Sequence, residues 1–305
     1  MFSIIAAWRR WFRQPAGGLP QSFVPLLVAA MLQFAPEGAV GQTANGPAMS
    51  GQATNHRATN DLANDGAASS QATDPTATPL HKLGVSAQDH RVRLEHGGWP
   101  WTSLGRVNRA IGGYCTGALV APHWVLTAAH CLYNFHDRRW AIPGDIHFVA
   151  GYDRGSYEAH GIGKNFVLPK DYRGDSAAGA AEMAHDWALI ELDRDLSPRP
   201  IPVARQEVSL EKGPVTVTVA GYSGDFEEVL TAHRDCQIIG EARPKLWLHD
   251  CDATFGASGA PLLRFTGGKP EIVAVQSGVV TLKDKRELST AVPLSSFLSA
   301  LAGVN

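Results

Sequence analysis

From about Val85 onward, short apolar stretches alternate with polar turns. Ile146 to Ala150, Trp187 to Leu192, Val215 to Ala220, Lys245 to Leu248 and Ile272 to Val275 are rich in Val, Ile, Leu or aromatic residues. Gly, Pro and Asp break the chain between them. Runs this short, bounded by turn formers, predict β-strands. Only the end of the chain reads as helix: Leu294, Phe297, Leu298 and Leu301 fall at helical spacing, with the helix expected over Ser295 to Leu301. About 220 residues of regular short strands without an internal linker predict an all-β domain of two packed barrels.

Ahead of Val85 the pattern changes twice. Between about Gly41 and Leu80 the chain is rich in Ala, Thr, Asn, Gly, Ser and Gln and holds no Phe, Trp or Tyr. Such a stretch cannot bury enough apolar surface to offset the entropy of ordering it, so residues 42–84 are expected to be a disordered linker or pro-segment. Earlier still, Arg9, Arg10 and Arg13 precede an apolar run from Phe23 to Ala35, and the first acidic residue is Glu37. A run of thirteen residues is too short to span a bilayer, which needs about 20, but it suits the core of a secretory signal. Ala39 and Gly41 are small residues at the spacing a signal peptidase reads. Residues 1–41 are therefore expected to be a signal peptide, and Arg9-Arg10-Trp11-Phe12 resembles a twin-arginine signal. A secreted or periplasmic protein with no stable membrane span after processing follows as the expectation.

The formal charge of -2 over 305 residues gives no pull toward nucleic acid, and the body of the chain has no run of lysine and arginine, so no nucleic-acid partner is expected. Four cysteines, Cys115, Cys131, Cys236 and Cys251, suit two disulfides in an exported chain. Their wide spacing argues against zinc, whose sites draw on close pairs. There are twelve histidines but no His-Glu-x-x-His helix, so neither a metal nor another cofactor is expected.

Three segments carry candidate chemistry. The first runs from Cys115 through Thr127-Ala-Ala-His130-Cys131. The second is His185-Asp186-Trp-Ala-Leu-Ile-Glu-Leu. The third is Asp252-Ala-Thr-Phe-Gly256-Ala257-Ser258-Gly259-Ala260-Pro261. A serine hydroxyl becomes a useful nucleophile when a base takes its proton during attack. A histidine can do so near neutral pH, and a buried carboxylate can fix its tautomer and stabilise the imidazolium. Taken singly, each has an ordinary structural reading: a buried histidine, a strand-edge cap, a turn serine. Together, in this order, they point to nucleophilic catalysis.

These segments resemble those of the trypsin-like, chymotrypsin-fold serine proteases from about Val85 to the C-terminus. Thr-Ala-Ala-His-Cys is the most specific of the motifs and Gly-x-Ser-Gly-x-Pro the next. The resemblance implies two six-stranded antiparallel barrels with a short C-terminal helix and a triad of His130, Asp186 and Ser258. It implies an acyl-enzyme route on protein or peptide substrates, and an oxyanion hole from the N–H groups of Gly256 and Ser258. Cys115 and Cys131 match the pair that staples the histidine loop in that family, which leaves Cys236 and Cys251 to pair with each other. The rival reading is a non-catalytic binding module on the same fold.

Two positions depart from trypsin. The residue before the nucleophile is Ala257 in place of an aspartate, and the Gly-Ala-Ser-Gly-Ala-Pro run looks closer to bacterial glutamyl endopeptidases than to animal trypsins. Asp252 stands six residues before Ser258, where trypsin holds its pocket-floor aspartate, while glutamyl-specific relatives can carry an Asp at the same offset. It either binds Arg or Lys of a substrate or braces nearby backbone. Gln276 stands where the glutamyl-specific enzymes place a histidine, and Ser277 matches the serine that bonds the triad aspartate or lies one residue from it. Asp252, Gln276 and Ser277 are thus the candidate substrate-binding residues, with a preference for Arg or Lys as the expectation.

Overall fold

The computed structural model describes residues 82–95, 97–174 and 179–304. The expected signal peptide and all but the end of the expected linker lie outside the described residues.

Among the described residues, fifteen strands make up two barrels and their trimmings. The first barrel joins β2 (Leu104–Arg109), β3 (Tyr114–Ala121), β4 (Trp124–Thr127), β7 (Ile146–Ala150), β8 (Ala159–Val167) and β9 (Ala188–Leu192). Its closed order is β2-β3-β4-β9-β8-β7, and every pairing is antiparallel. The alternation expected of strands is visible in β7, where Ile146, Phe148 and Ala150 are buried while His147 and Val149 are half-exposed. Those residues join Val107, Leu119, Val125 and Ile190 in one core. Between β4 and β7 the short strands β5 (Tyr133–Asn134) and β6 (Arg139–Trp140) pair separately.

The second barrel joins β10 (Val215–Gly221), β11 (Thr231–Arg243), β12 (Leu246–His249), β13 (Pro261–Thr266), β14 (Lys269–Thr281) and β15 (Glu287–Pro293). The order β11-β10-β13-β14-β15-β12 closes through pairing of β11 with β12. β1 (Val92–Arg93) adds to the free edge of β11. One apolar core contains Val217, Val219, Leu262 and Ile272 of this barrel together with Leu104, Leu126 and Leu189 of the first, so the barrels share a packed face.

Helix is scarce, as expected: α1 (Ala180–Met183) precedes β9, and α2 (Leu298–Leu301) follows a 3-10 turn at Leu294–Ser296. Phe297, between that turn and α2, is fully buried and packs on Trp187, with ring centroids 6.1 Å apart. No helix among the described residues is long and apolar enough to cross a membrane.

Both disulfides form, Cys115–Cys131 and Cys236–Cys251. The first ties β3 to the turn that carries His130; the second ties β11 to the segment leading to Ser258. Lys82 and Gly84, at the end of the expected linker, already bond to the second barrel: Lys82 to Asp225, Gly84 N–H to Glu287, and Gly84 C=O from the N–H of Ala253.

Candidate active site

His130 sits on the 3-10 turn Ala129–Leu132 that follows β4, and Asp186 lies between α1 and β9. Pairing of β4 with β9, Thr127 opposite Ala188, brings the ends of both segments together. The Asp186 carboxylate is buried and fully engaged. Oδ1 accepts the His130 N–H at 2.8 Å, Oδ2 lies 2.7 Å from His130 Nδ1, and Oδ2 also accepts the Ser277 hydroxyl at 2.6 Å. Burial pushes the Asp186 carboxyl up, but His130 and these hydrogen bonds outweigh it and hold the group below the ordinary carboxylate range.

Ser258 lies on the loop between β12 and β13 of the other barrel. Its carbonyl accepts the Thr116 N–H at 2.8 Å and lies 3.9 Å from Cys131 Sγ, which sets it beside the His130 turn. Its hydroxyl is 3.5 Å from the Ser277 carbonyl. Gly259 follows at φ +81°; a Cβ there would meet Thr127 Oγ1 at 2.2 Å and the Thr116 carbonyl at 2.3 Å, so no side chain fits.

The loop before Ser258 is fixed peptide by peptide. The Phe255 carbonyl accepts the Gly224 N–H at 2.6 Å, and the Ala257 carbonyl accepts the Ala260 N–H at 2.9 Å. In a trans peptide the N–H and C=O point in opposite directions. The N–H groups of Gly256 and Ser258 are therefore turned away from those partners, and neither donates to another described residue. Thr116 Oγ1 donates to the Gly256 carbonyl at 2.9 Å and accepts the Tyr222 N–H at 2.9 Å. Gly256 has φ +89°, and a Cβ would press on Tyr222 O at 2.5 Å. Two N–H donors with no partner among the described residues, one of them on the residue that carries the hydroxyl, can receive an oxyanion.

The three candidate substrate-binding residues are placed differently from one another. Ser277 spends its hydroxyl on Asp186. Gln276 is buried and folds its Nε2 back onto the Gly278 carbonyl at 3.1 Å. The Asp252 carboxylate accepts the N–H of Ser86 at 2.7 Å and of His90 at 2.8 Å, and His90 Nδ1 lies 3.1 Å from it. These bonds turn Asp252 toward the segment ahead of β1, the bracing alternative of its two readings.

His90, His233 and Asp252 bring ligand atoms within 4.8 Å of one another. His233 Nδ1 already accepts the Asp252 N–H at 2.8 Å, and each Asp252 oxygen accepts one amide. The other two such groupings among the described residues each need disulfide-bonded cysteines.

Sequence comparison agrees with this geometry. The family described as Trypsin matches residues 91–301. The chain belongs to the trypsin family. Coagulation factor XII of Bos taurus is 29% identical over 179 residues, covering 49% of this chain and 27% of that protein. A glutamyl endopeptidase of Bacillus licheniformis is 23% identical over 158 residues, covering 51% of this chain and 47% of the relative. The chain thus spans about a quarter to a half of the length of these curated relatives. Among solved structures, a Glu endopeptidase in complex with MPD matches with a TM-score of 0.58 at 20% identity, over 73% of this chain and 99% of that one. At that identity the likeness speaks for the fold alone, and the trypsin-family domain shares its two-barrel architecture.

Motif reading did not find Thr116, Gly224, Asp225 or Arg91. They act through hydroxyl, backbone and ion-pair contacts between residues far apart in the chain, and no local spacing marks them.

Proposed function

We infer that the chain is an exported serine endopeptidase in which Ser258 is the nucleophile, His130 the general base and Asp186 the group that orients it. The observation that carries this reading is the buried His130–Asp186–Ser277 network standing beside Ser258 and two unspent N–H donors. Asp186 selects the tautomer with the proton on Nδ1, leaving Nε2 to accept the Ser258 proton as Oγ attacks the substrate carbonyl carbon. The carbonyl π-electrons move onto oxygen, and the oxyanion is held by the N–H groups of Gly256 and Ser258. His130 then returns the proton to the departing amine as the C–N bond breaks, leaving an acyl-enzyme. Water repeats the sequence: it loses a proton to His130, the acid is released, and Ser258 regains its hydrogen.

Residues 85–305 would form the protease domain, 42–84 a linker or pro-segment and 1–41 a signal peptide. Two disulfides support a secreted or periplasmic location, since such bonds persist in oxidising compartments. Protein or peptide substrates are the partners this chemistry serves. The Asp252 carboxylate faces the chain's own backbone, so it supports no preference for Arg or Lys.

A fluorophosphonate probe tests the reading. Stoichiometric labelling of Ser258, lost in Ser258→Ala and His130→Ala, together with cleavage of a mixed peptide library, is the expected result. A folded wild-type protein that neither labels nor cleaves would leave the binding-module reading in its place.

A further inference from the structure

The strap that leads into the first strand, Lys82 to Arg91, touches two segments that must stay in register. One is the loop Ser223–Phe226 after β10; the other is Cys251–Ala253, which leads to Ser258. The Gly224 N–H of the first loop donates to the Phe255 C=O, two residues beyond the second segment, and this bond turns the Gly256 N–H outward.

On the first side, Asp225 adjoins Gly224. Arg91 holds it with two bonds, Nη1 to Oδ1 at 3.0 Å and Nη2 to Oδ2 at 2.7 Å, and Lys82 adds a third at 2.8 Å. The Arg91 side chain is only 2% exposed, and Asp89 accepts from its remaining face. The Phe226 ring lies under the guanidinium groups of Arg91 and Arg93, 5.2 and 4.9 Å from the centroid. On the second side, Asp252 accepts the N–H groups of Ser86 and His90, and the Gly84 carbonyl accepts the N–H of Ala253. The Asp225 carboxyl illustrates the strength of the first anchor. Burial pushes it up, yet the bonds from Arg91 and Lys82 hold it at about 2.

Ala257, next to the nucleophile, has no charge with which to anchor the loop from within. The anchoring groups stand outside it, on the strap. We propose that the strap is a positioning element for the oxyanion hole, with Asp225 and Asp252 as its positioning residues: it clamps the two segments so that the Phe255–Gly256 peptide keeps its N–H toward the substrate. This rests on the reading of Gly256 and Ser258 as oxyanion donors.

The test uses the full chain and three variants, Asp225→Asn, Asp252→Asn and Arg91→Lys. Arg91→Lys keeps the charge but cannot engage two carboxylates in a planar fork. Each is titrated for active sites, assayed for kcat and KM, and measured for affinity toward a peptide aldehyde, which forms a tetrahedral adduct. Loss of one oxyanion donor costs about 100-fold or more in kcat, so partial misalignment is expected to lower kcat per titrated site about tenfold or more. KM should stay within about twofold and aldehyde affinity should fall in parallel with kcat/KM. Crystal structures of Asp225→Asn and Asp252→Asn supply a readout independent of turnover: the Phe255–Gly256 peptide is expected to reorient or lose definition. A peptide that stays in place, or a lowered Tm with kcat per titrated site unchanged, overturns the proposal. A wild type without peptidase activity would count against the proteolytic reading, while the crystal structures would still decide the role of the strap.

Discussion

The two barrels contribute to the site in different ways. The first supplies side chains: the His130 imidazole and the Asp186 carboxylate, 2.7 Å apart and buried together. The second supplies Ser258 on a loop shaped mainly by backbone bonds, through Gly224, Thr254, Ala260 and Gln276, with the Thr116 hydroxyl on the Gly256 carbonyl. A side-chain arrangement depends on residue types that a sequence displays. A backbone arrangement depends on which carbonyl meets which N–H, and that is decided by distant contacts. The triad side chains should therefore fail abruptly when one is changed, and the backbone of the serine half by degrees as its supports are removed.

The largest effect tests the triad side chains, which come from both barrels. Ser258→Ala and His130→Ala are each expected to abolish turnover with the fold intact. Asp186→Asn should lower kcat by about three to four orders of magnitude, because an amide in place of the carboxylate favours the wrong histidine tautomer. Near-normal turnover in Ser258→Ala, alongside an unchanged circular dichroism spectrum, would remove the triad and the contrast with it.

What could be read from the chain follows the same division. All five apolar stretches fall on β7, β9, β10, β12 and β14, because short buried apolar runs bounded by turn formers leave a local trace. The short α1 and the strap left none, since neither carries an apolar period of its own. Asp252 shows the limit most clearly. Its offset from Ser258 allowed a pocket floor or a brace, and its contacts with Ser86 and His90, more than 160 residues away, support the brace. Ser277 was legible by likeness alone, and its 2.6 Å bond to Asp186 gives the physical reason for a serine there.

The next effect concerns the support of the serine half. The Cys236–Cys251 bridge closes a loop of sequence separation 15 and fastens the residue just before Asp252 to β11. Replacing both cysteines by alanine should cost about 3 kcal/mol of stability in the chain-entropy view. Chemical denaturation at neutral pH would measure it. If the serine half yields by degrees, the folded fraction of this variant should keep reduced but measurable kcat. Total loss of turnover in fully folded protein would contradict the contrast.

A comparable effect comes from pH. His249 on β12 is fully buried, and burial pushes its pKa from the ordinary 6.5 down to about 4. Below pH 6.5 the unfolded chain binds a proton at this residue that the folded chain refuses until about pH 4. Stability from this group is complete above pH 6.5 and is lost as the pH falls through that window, up to about 3 kcal/mol. Asp186 works in the same direction at lower pH, since its carboxyl is held below the ordinary range in the folded state. His249→Leu should flatten the unfolding free energy between pH 6.5 and 4. An identical pH slope in wild type and variant would show that the burial of this histidine carries no such cost.

The smallest effect lies where the halves join. Thr116 belongs to β3 of the first barrel, directly after Cys115, yet its hydroxyl serves the loop of the second. It accepts the Tyr222 N–H and donates to the Gly256 carbonyl, both at 2.9 Å, in a fully buried position. Thr116→Val keeps the shape and removes both bonds, leaving a buried donor and a buried acceptor unsatisfied, at about 1–3 kcal/mol. Part of that cost should appear as a fall in kcat of about tenfold, because the Gly256–Ala257 peptide, which follows the oxyanion N–H of Gly256, then loses its anchor. Thr116→Ser keeps the hydroxyl and should restore kcat even if the lost methyl lowers Tm. The pair separates packing from positioning: equal kcat in the Val and Ser variants would mean that Thr116 only fills space, and that the Gly224 bond alone sets the loop.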